Sequence, residues 1–209
     1  MSSDRNKQPA IQGQRVGLRP VEQSDIAVLE SWTNDSAIQG SYNMFGLERM
    51  NGLASGFQAR GLLDDDQATL MIVTLEGQIV GSISYHVVRY GPNSGSRAYN
   101  IGLDITPEHR NKGYGSQAQR LLAEYLLQTF TIGCVEAQTD ITNLPEQRAL
   151  EKAGFTREGV LRKAQWRAGD WHDLVVYSCA SDRAPHRASR ARLLCRRRRH
   201  RDPRRGAAG

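Results

Sequence analysis

Cysteine, tryptophan and histidine are scarce in this chain: 3 Cys, 3 Trp and 5 His stand among 209 residues. Cys134, Cys179 and Cys195 are odd in number and show no close metal-ligand spacing. That excludes a disulfide framework, argues against zinc and suits a reducing compartment. Cys134, next to the apolar Val135, reads either as a small buried hydrophobe or as a nucleophile. Long apolar runs are missing too. No stretch approaches the roughly 18 residues that a membrane span requires, and the opening Met-Ser-Ser-Asp-Arg-Asn-Lys-Gln has no apolar segment of the signal-peptide kind. A cytoplasmic protein with no metal and no membrane partner is therefore expected.

Lysine is absent from the very stretch that makes the chain basic. The formal net charge is +6, from 28 basic and 22 acidic residues. Residues 181–209 hold 11 Arg, no Lys, and only Asp182 and Asp202 on the acidic side. The first 180 residues thus keep 17 basic against 20 acidic groups, a charge near −3. Lacking a periodic apolar face, 181–209 reads as a disordered Arg-rich tail. Arg196 to Arg199 with Arg201 would grip nucleic-acid or ribosomal phosphates without sequence choice. The plainer readings are a solvated extension, or a GC-rich stretch translated in an unintended frame. Residues 1–14 read as a flexible N-terminus, which leaves 15–180 as one domain large enough to bury a substantial core.

Inside that domain, Thr106-Pro107-Glu108-His109-Arg110-Asn111-Lys112-Gly113-Tyr114-Gly115 joins two periodic runs. Upstream, Ile101, Leu103 and Ile105 alternate as on a half-buried strand; downstream, Ala118, Leu121, Leu122, Tyr125 and Thr129 recur at helical spacing. Gly113 and Gly115 let the backbone approach a ligand, and the first amides of the new helix have no partner within it. With Arg110 and Lys112 alongside, this strand-to-helix junction can cradle a pyrophosphate, although glycine turns also begin ordinary helices. Elsewhere, strands are expected at 15–21, 68–75, 79–88, 135–141, 156–166 and 171–179. Helices are expected from Ser24 as cap to Asn34-Asp35, over 47–62 as a glycine-weakened flap, and over 144–153. Strands interleaved with helices suit a mixed α/β sheet layered by helices.

Arg110, two residues, Gly113, one residue and Gly115 resemble the signature of the GNAT superfamily of acyl-CoA-dependent N-acyltransferases. Leu18-Arg19-Pro20, Asp25, Trp32 and Asn34-Asp35 are similar to the opening of its RimJ/RimL branch, whose members acetylate ribosomal-protein N-termini. Asn143, Leu150-Glu151-Lys152-Ala153-Gly154-Phe155, Glu158-Gly159, Leu161-Arg162 and Gly169-Asp170-Trp171-His172-Asp173 resemble its closing half. The resemblance implies a GNAT fold: a mixed, mostly antiparallel sheet of about seven strands, splayed at its middle and flanked by about four helices. It also implies acetyl-CoA, or another acyl-CoA, as cosubstrate. The pantetheine arm would lie against Leu103, Asp104 and Ile105, and the pyrophosphate against Arg110, Asn111, Lys112, Gly113, Tyr114 and Gly115. Asn143 would hydrogen-bond the pantetheine.

The implied chemistry is direct attack of a neutral amine on the thioester, which needs a base, an oxyanion stabiliser and an acid for the thiolate. Here the chain departs from its relatives. Asn100 replaces the middle-strand glutamate, Gln165 replaces a second branch glutamate, Glu146 stands where the branch has serine, and Leu150 stands where others have an acid tyrosine. Glu146 is the catalytic candidate if burial raises its pKa; otherwise it is a solvated helix carboxylate. His86 and His172 are alternative bases or structural histidines, while Trp166 and Trp171 wall the acceptor pocket or simply pack their hairpin. Two functions remain open. One is an N-acyltransferase acting on the primary amine of a protein N-terminus or a small metabolite. The other is a GNAT-fold acyl-CoA binder that has lost catalysis and serves as a sensor or partner subunit.

Overall fold

The structure, a computed structural model, describes residues 9–93 and 95–180. The Arg-rich tail at 181–209, with its proposed nucleic-acid contact, lies outside the described residues. The strands are β1 Ile11–Gln12, β2 Val16–Pro20, β3 Gln67–Thr74, β4 Ile79–Arg89, β5 Arg97–Ile105, β6 Cys134–Asp140, β7 Thr156–Arg167 and β8 Asp170–Ala180. The helices are α1 Ile26–Trp32, α2 Ser36–Asn43, α3 Gly52–Arg60, α4 Tyr114–Thr129 and α5 Leu144–Ala153. All eight strands form one sheet in the order β1-β2-β3-β4-β5-β6-β8-β7. Every neighbouring pair is antiparallel except β5 and β6, which run parallel. A parallel pair needs a crossover, and α4 supplies it.

Two hydrophobic layers cover the sheet. On one face Tyr99, Ile101, Val135, Ala137 and Tyr177 pack against Ala118, Leu122 and Leu126 of α4 and Leu150 and Ala153 of α5. On the other, Met71 and Val73 of β3 meet Ile26 and Leu29 of α1, with Leu53, Ala54 and Phe57 of α3 alongside. Because β3 is covered on both faces, its residues from Leu70 to Thr74 are almost continuously buried rather than alternating.

Several details differ from expectation. The sheet has eight strands rather than seven because Ile11–Gln12 pairs with Leu18 and Gly17. At the start of β2, Gln117 Oε1 of α4 accepts from the backbone N–H of Arg15 at 2.8 Å and of Val16 at 2.9 Å. There are five α-helices among the described residues rather than four, since Asp35 caps an additional one through Ala37 N–H at 2.8 Å. The expected helix over 47–62 shrinks to α3, which ends at Gly61 with positive φ of 71°. Ser24 is not the cap of α1 either; Glu22 and Asp25 form a capping box at that corner.

Asp25 carries a second role. Its carboxylate takes both nitrogens of the Arg19 fork, at 2.6 and 2.9 Å, and the Glu22 N–H at 2.8 Å. Both side chains are nearly closed to solvent, at 5 and 4 % exposure. The Leu18-Arg19-Pro20 and Asp25 motif is therefore a buried clamp that fastens α1 to β2. Removing one partner strands the other charge in the interior, so Asp25→Ala should cost about 3–5 kcal/mol. Asp66→Ala, which breaks an Arg89 pair exposed at both ends, should change stability by less than about 1 kcal/mol. Urea unfolding of the two variants checks the contrast, and similar midpoints would refute the clamp.

Candidate active site

The parallel ladder between β5 and β6 holds for three residue pairs only: Tyr99 with Val135, Asn100 with Glu136, Ile101 with Ala137. Both strands continue past that point, β5 to Ile105 and β6 to Asp140. Beyond Ile101 they diverge, and each keeps its outer partner, β4 or β8. The sheet is thus splayed at its centre, with one bare backbone edge on each side of the gap.

At the mouth of this gap β5 passes through a 3-10 turn at Pro107–His109 into α4. His109, itself buried, is tied to Thr106 Oγ1 at 2.8 Å. Asn111 and Gly113 adopt left-handed backbone, at φ 60° and 80°. Gly113 is the N-cap of the 16-residue α4, and no side chain caps the amides behind it. Those N–H groups and the positive end of the helix dipole face outward. A Cβ on Gly115 would come within 3.2 Å of Leu103 Cδ1, so this glycine lets α4 lie close on β5.

Two cations at this corner differ from the sequence reading. Arg110 points its guanidinium at backbone carbonyls: Nε to Ile105 at 2.9 Å, and one terminal nitrogen to Ala37 at 3.0 Å and Ile38 at 2.8 Å. It clips α2 across the end of β5, with its charge at the gap rather than free at the glycines. Arg15 reaches the cradle instead, donating to the Lys112 carbonyl at 3.0 Å; its guanidinium lies 3.3 Å from where a Gly113 Cβ would be. Nothing local in the sequence pointed to Arg15, which is 97 residues upstream of its acceptor. Asn111 and Lys112 are exposed, and Tyr114 is half-buried.

Asn143, across the gap, caps α5 by accepting from the Glu146 N–H at 3.4 Å while its Nδ2 donates to Thr139 Oγ1 at 3.0 Å. Glu146, in the first turn of α5, points back at α4, where Gln119 Nε2 donates to Glu146 Oε1. Burial pushes the Glu146 carboxyl up to about 7; Gln119 opposes the rise and the Asp104 charge adds to it. Asp104 is also raised by burial, against Asn43 and Arg110, which favour its charge, while Glu48 adds to the rise. Gln119 is 1 % exposed, and its Oε1 has no partner among the described residues.

The remaining candidates divide clearly. Asn100 lies between His86 of β4 and Glu136 of β6 in the ladder, and His86 is exposed. Gln165 Oε1 accepts from Arg167. His172 is structural: its Nδ1 is 3.1 Å from Asp140 and its Nε2 3.2 Å from the Arg167 carbonyl. Asp140 and Arg167 form a buried ion pair. Burial alone would raise Asp140, but donors from Thr142 and Arg167 bring it down to about 2. Burial and the Glu136 charge raise the Cys134 thiol, which makes it a poor nucleophile. Trp166 and Trp171 stack edge to face at 5.4 Å on the exposed hairpin. Among the described residues no His, Cys, Asp and Glu cluster could hold a metal ion, and no helix is long and apolar enough to cross a membrane.

This geometry agrees with the sequence comparison: residues 15–156 match the profile described as "Acetyltransferase (GNAT) domain". The chain belongs to the GNAT acetyltransferase family. Its class is therefore acyl-CoA-dependent N-acetyltransferase. It is 27 % identical to an uncharacterized N-acetyltransferase, YnaD, of Bacillus subtilis, over 78 % of this chain and 92 % of the relative. Among solved structures, spermidine N-acetyltransferase of Vibrio cholerae with CoA and spermine superposes with a TM-score of 0.68 at 18 % identity, covering 79 % of this chain and 95 % of that one. Mycobacterium smegmatis RimJ with CoA-disulfide gives 0.67 at 21 %, covering 81 and 84 %. Both share the GNAT fold with this chain.

A carboxyl raised in the folded state favours folding only while it is protonated. For Glu146 that contribution is complete below the ordinary carboxylate pKa of about 4.3 and is lost as pH rises through about 7. Glu146→Gln should remove this loss, so that the variant gains about 1–3 kcal/mol on wild type between pH 4.5 and 8. Denaturant melts across that range test this, and parallel curves for the two proteins would show Glu146 to be solvated.

Proposed function

We propose that the gap between β5 and β6 receives the acyl-pantetheine arm of an acyl-CoA and presents its thioester to a primary amine. The observation that carries this reading is the early end of the β5–β6 ladder at Ile101 and Ala137, with an uncapped helix N-terminus at its mouth. Bare backbone edges in a protein interior need partners. An extended arm with amide groups would supply them along Leu103, Asp104 and Ile105. The α4 amides behind Gly113, with Arg15 and Lys112 nearby, would take the pyrophosphate. Gln119 Oε1, buried and without a partner among the described residues, would accept from an N–H of the arm. Asn111, Tyr114 and Gly115 shape this cradle, and Arg110 braces it through α2. The amide of Asn143 would exchange its hold on Thr139 for the arm.

Glu146 is placed to protonate the leaving thiolate. With a pKa near 7 it carries a proton in a good fraction of molecules at neutral pH and can return to that state after each turnover. Backbone N–H groups at the apex of the gap would hold the oxyanion. The desolvated carboxylates favour this reading over an acyl-CoA binder without catalysis, because a pure binding cleft gains nothing from a carboxyl held near neutrality. The acceptor is an amine, either a small cationic one or a protein N-terminus. The acidic groups Asp104, Glu48 and Glu146 around the gap favour the small cation.

Thiol release from acetyl-CoA, followed over a panel of polyamines, other small amines and peptides, tests the reading. Wild type should release thiol with at least one amine. Glu146→Gln should lower kcat about 100-fold and lose the decline of rate above pH 7. Gly113→Glu, which forces a side chain into left-handed backbone and a carboxylate into the cradle, should abolish CoA binding in calorimetry. Tight CoA binding by the Gly113→Glu variant would contradict the cradle; wild-type binding of CoA with no amine turned over would contradict the transferase.

A further inference from the structure

Asn100 leaves the chain without a base at the expected place on β5, yet the same strand carries a carboxylate four residues on. Leu103 and Ile105 turn their side chains toward Gly115 of α4. Strand alternation puts Asp104 on the opposite face, where Asn43 of α2 donates to its Oδ1 at 3.0 Å. Among the described residues no protein donor reaches Oδ2. Glu146, bonded to Gln119, approaches the gap from the α4 side. The splay is therefore flanked by one carboxylate on each face, and the two feel each other's charge across it.

We propose that Asp104 is the general base that deprotonates the acceptor ammonium, with Asn43 as its positioning residue. This rests on the acyltransferase reading above. The ammonium gives one proton to Asp104 Oδ2. The freed nitrogen lone pair then forms the N–C bond to the thioester carbon, and the C–S bond breaks. Its electrons leave on sulfur, which takes the proton of Glu146. Asp104 returns its proton to water, and the acylated nitrogen, which still carries two hydrogens and a positive charge, gives one of them through water to Glu146, which regains its proton as the neutral amide forms. The groups facing Asp104 suit the task. Arg110 keeps the carboxylate available, whereas burial, with Glu48 from the loop before α3, raises its basicity above that of a free aspartate. Glu146 lies across the gap, and Ser82, its partner on β4, is neutral.

The experiment compares two amines on wild type and Asp104→Asn. Asparagine keeps the Asn43 contact, since its carbonyl oxygen can still accept. CoA affinity by calorimetry should stay within about twofold. Thiol release with a strongly basic alkylamine should fall about 100-fold, while release with a weakly basic amine, already neutral at the assay pH, should fall less than about threefold. Asp104→Glu should restore part of the activity with the basic amine. Asn43→Ala should lower kcat with that amine more than it raises KM. Equal losses for both amines, unchanged rates with both, or lost CoA affinity would each overturn Asp104 as the base while leaving the transferase standing. A wild type that turns over no amine would overturn the transferase, and this base with it.

Discussion

Everything in the site depends on β5 and β6 parting after Ile101 and Ala137. Had the parallel ladder continued in register, Gly102 to Asp104 would pair with Gln138 to Asp140 and the sheet would be closed. A ladder stopped in a protein's interior leaves backbone donors and acceptors bare, at roughly 1–3 kcal/mol for each group that water cannot reach. The molecule tolerates this because the two strands are anchored away from the gap. β5 keeps nine pairs with β4, and β6 keeps seven with β8. The gap is then rimmed by side chains rather than filled by them. Arg110 ties α2 to the end of β5, Asn143 ties α5 to β6, and Gln119 holds Glu146 between them.

The same opening sets the electrostatics. Charges on its rim have lost part of their water without gaining full ion-pair partners, which is why Glu146 and Asp104 are both raised. Asp140, a few residues away on β6, shows the contrast. Its side chain is almost closed to solvent, yet Arg167 and Thr142 saturate it and it is lowered to about 2. Burial with saturating donors makes a structural ion pair, and burial without them makes a proton-handling group. His172 falls on the structural side of that division, through Asp140 and the Arg167 carbonyl.

The periodic elements were legible because their signals are local: the alternation of β5 and the helical spacing of α4 each fit within one element. The strand-to-helix turn was legible for the same reason, with Gly113 in the left-handed backbone that a glycine there suggests. What escaped were relations across the chain. Arg110 looks like a phosphate ligand in one dimension, and only the fold shows Ala37 and Ile38 taking its guanidinium. Arg15 is invisible as a neighbour of the glycine turn until β2 is laid beside α4. α2 was missed because Gly40, at φ 61°, breaks its periodicity and leaves the Asp35 cap as its clearest mark. Glu146 could be named a candidate from its position, but its desolvation depends on Gln119 and Asp104, 27 and 42 residues upstream.

If the bare edges of the gap bind ligand, the cosubstrate covers their backbone groups. Amide hydrogen exchange with and without CoA measures this most directly, since it reads the backbone groups themselves. On this account CoA slows exchange at Gly102 to Ile105 and in the first turn of α4 from Tyr114 to Gln117, with little change in β3 or β8. Protection that appears elsewhere while those segments keep their free rates would contradict it.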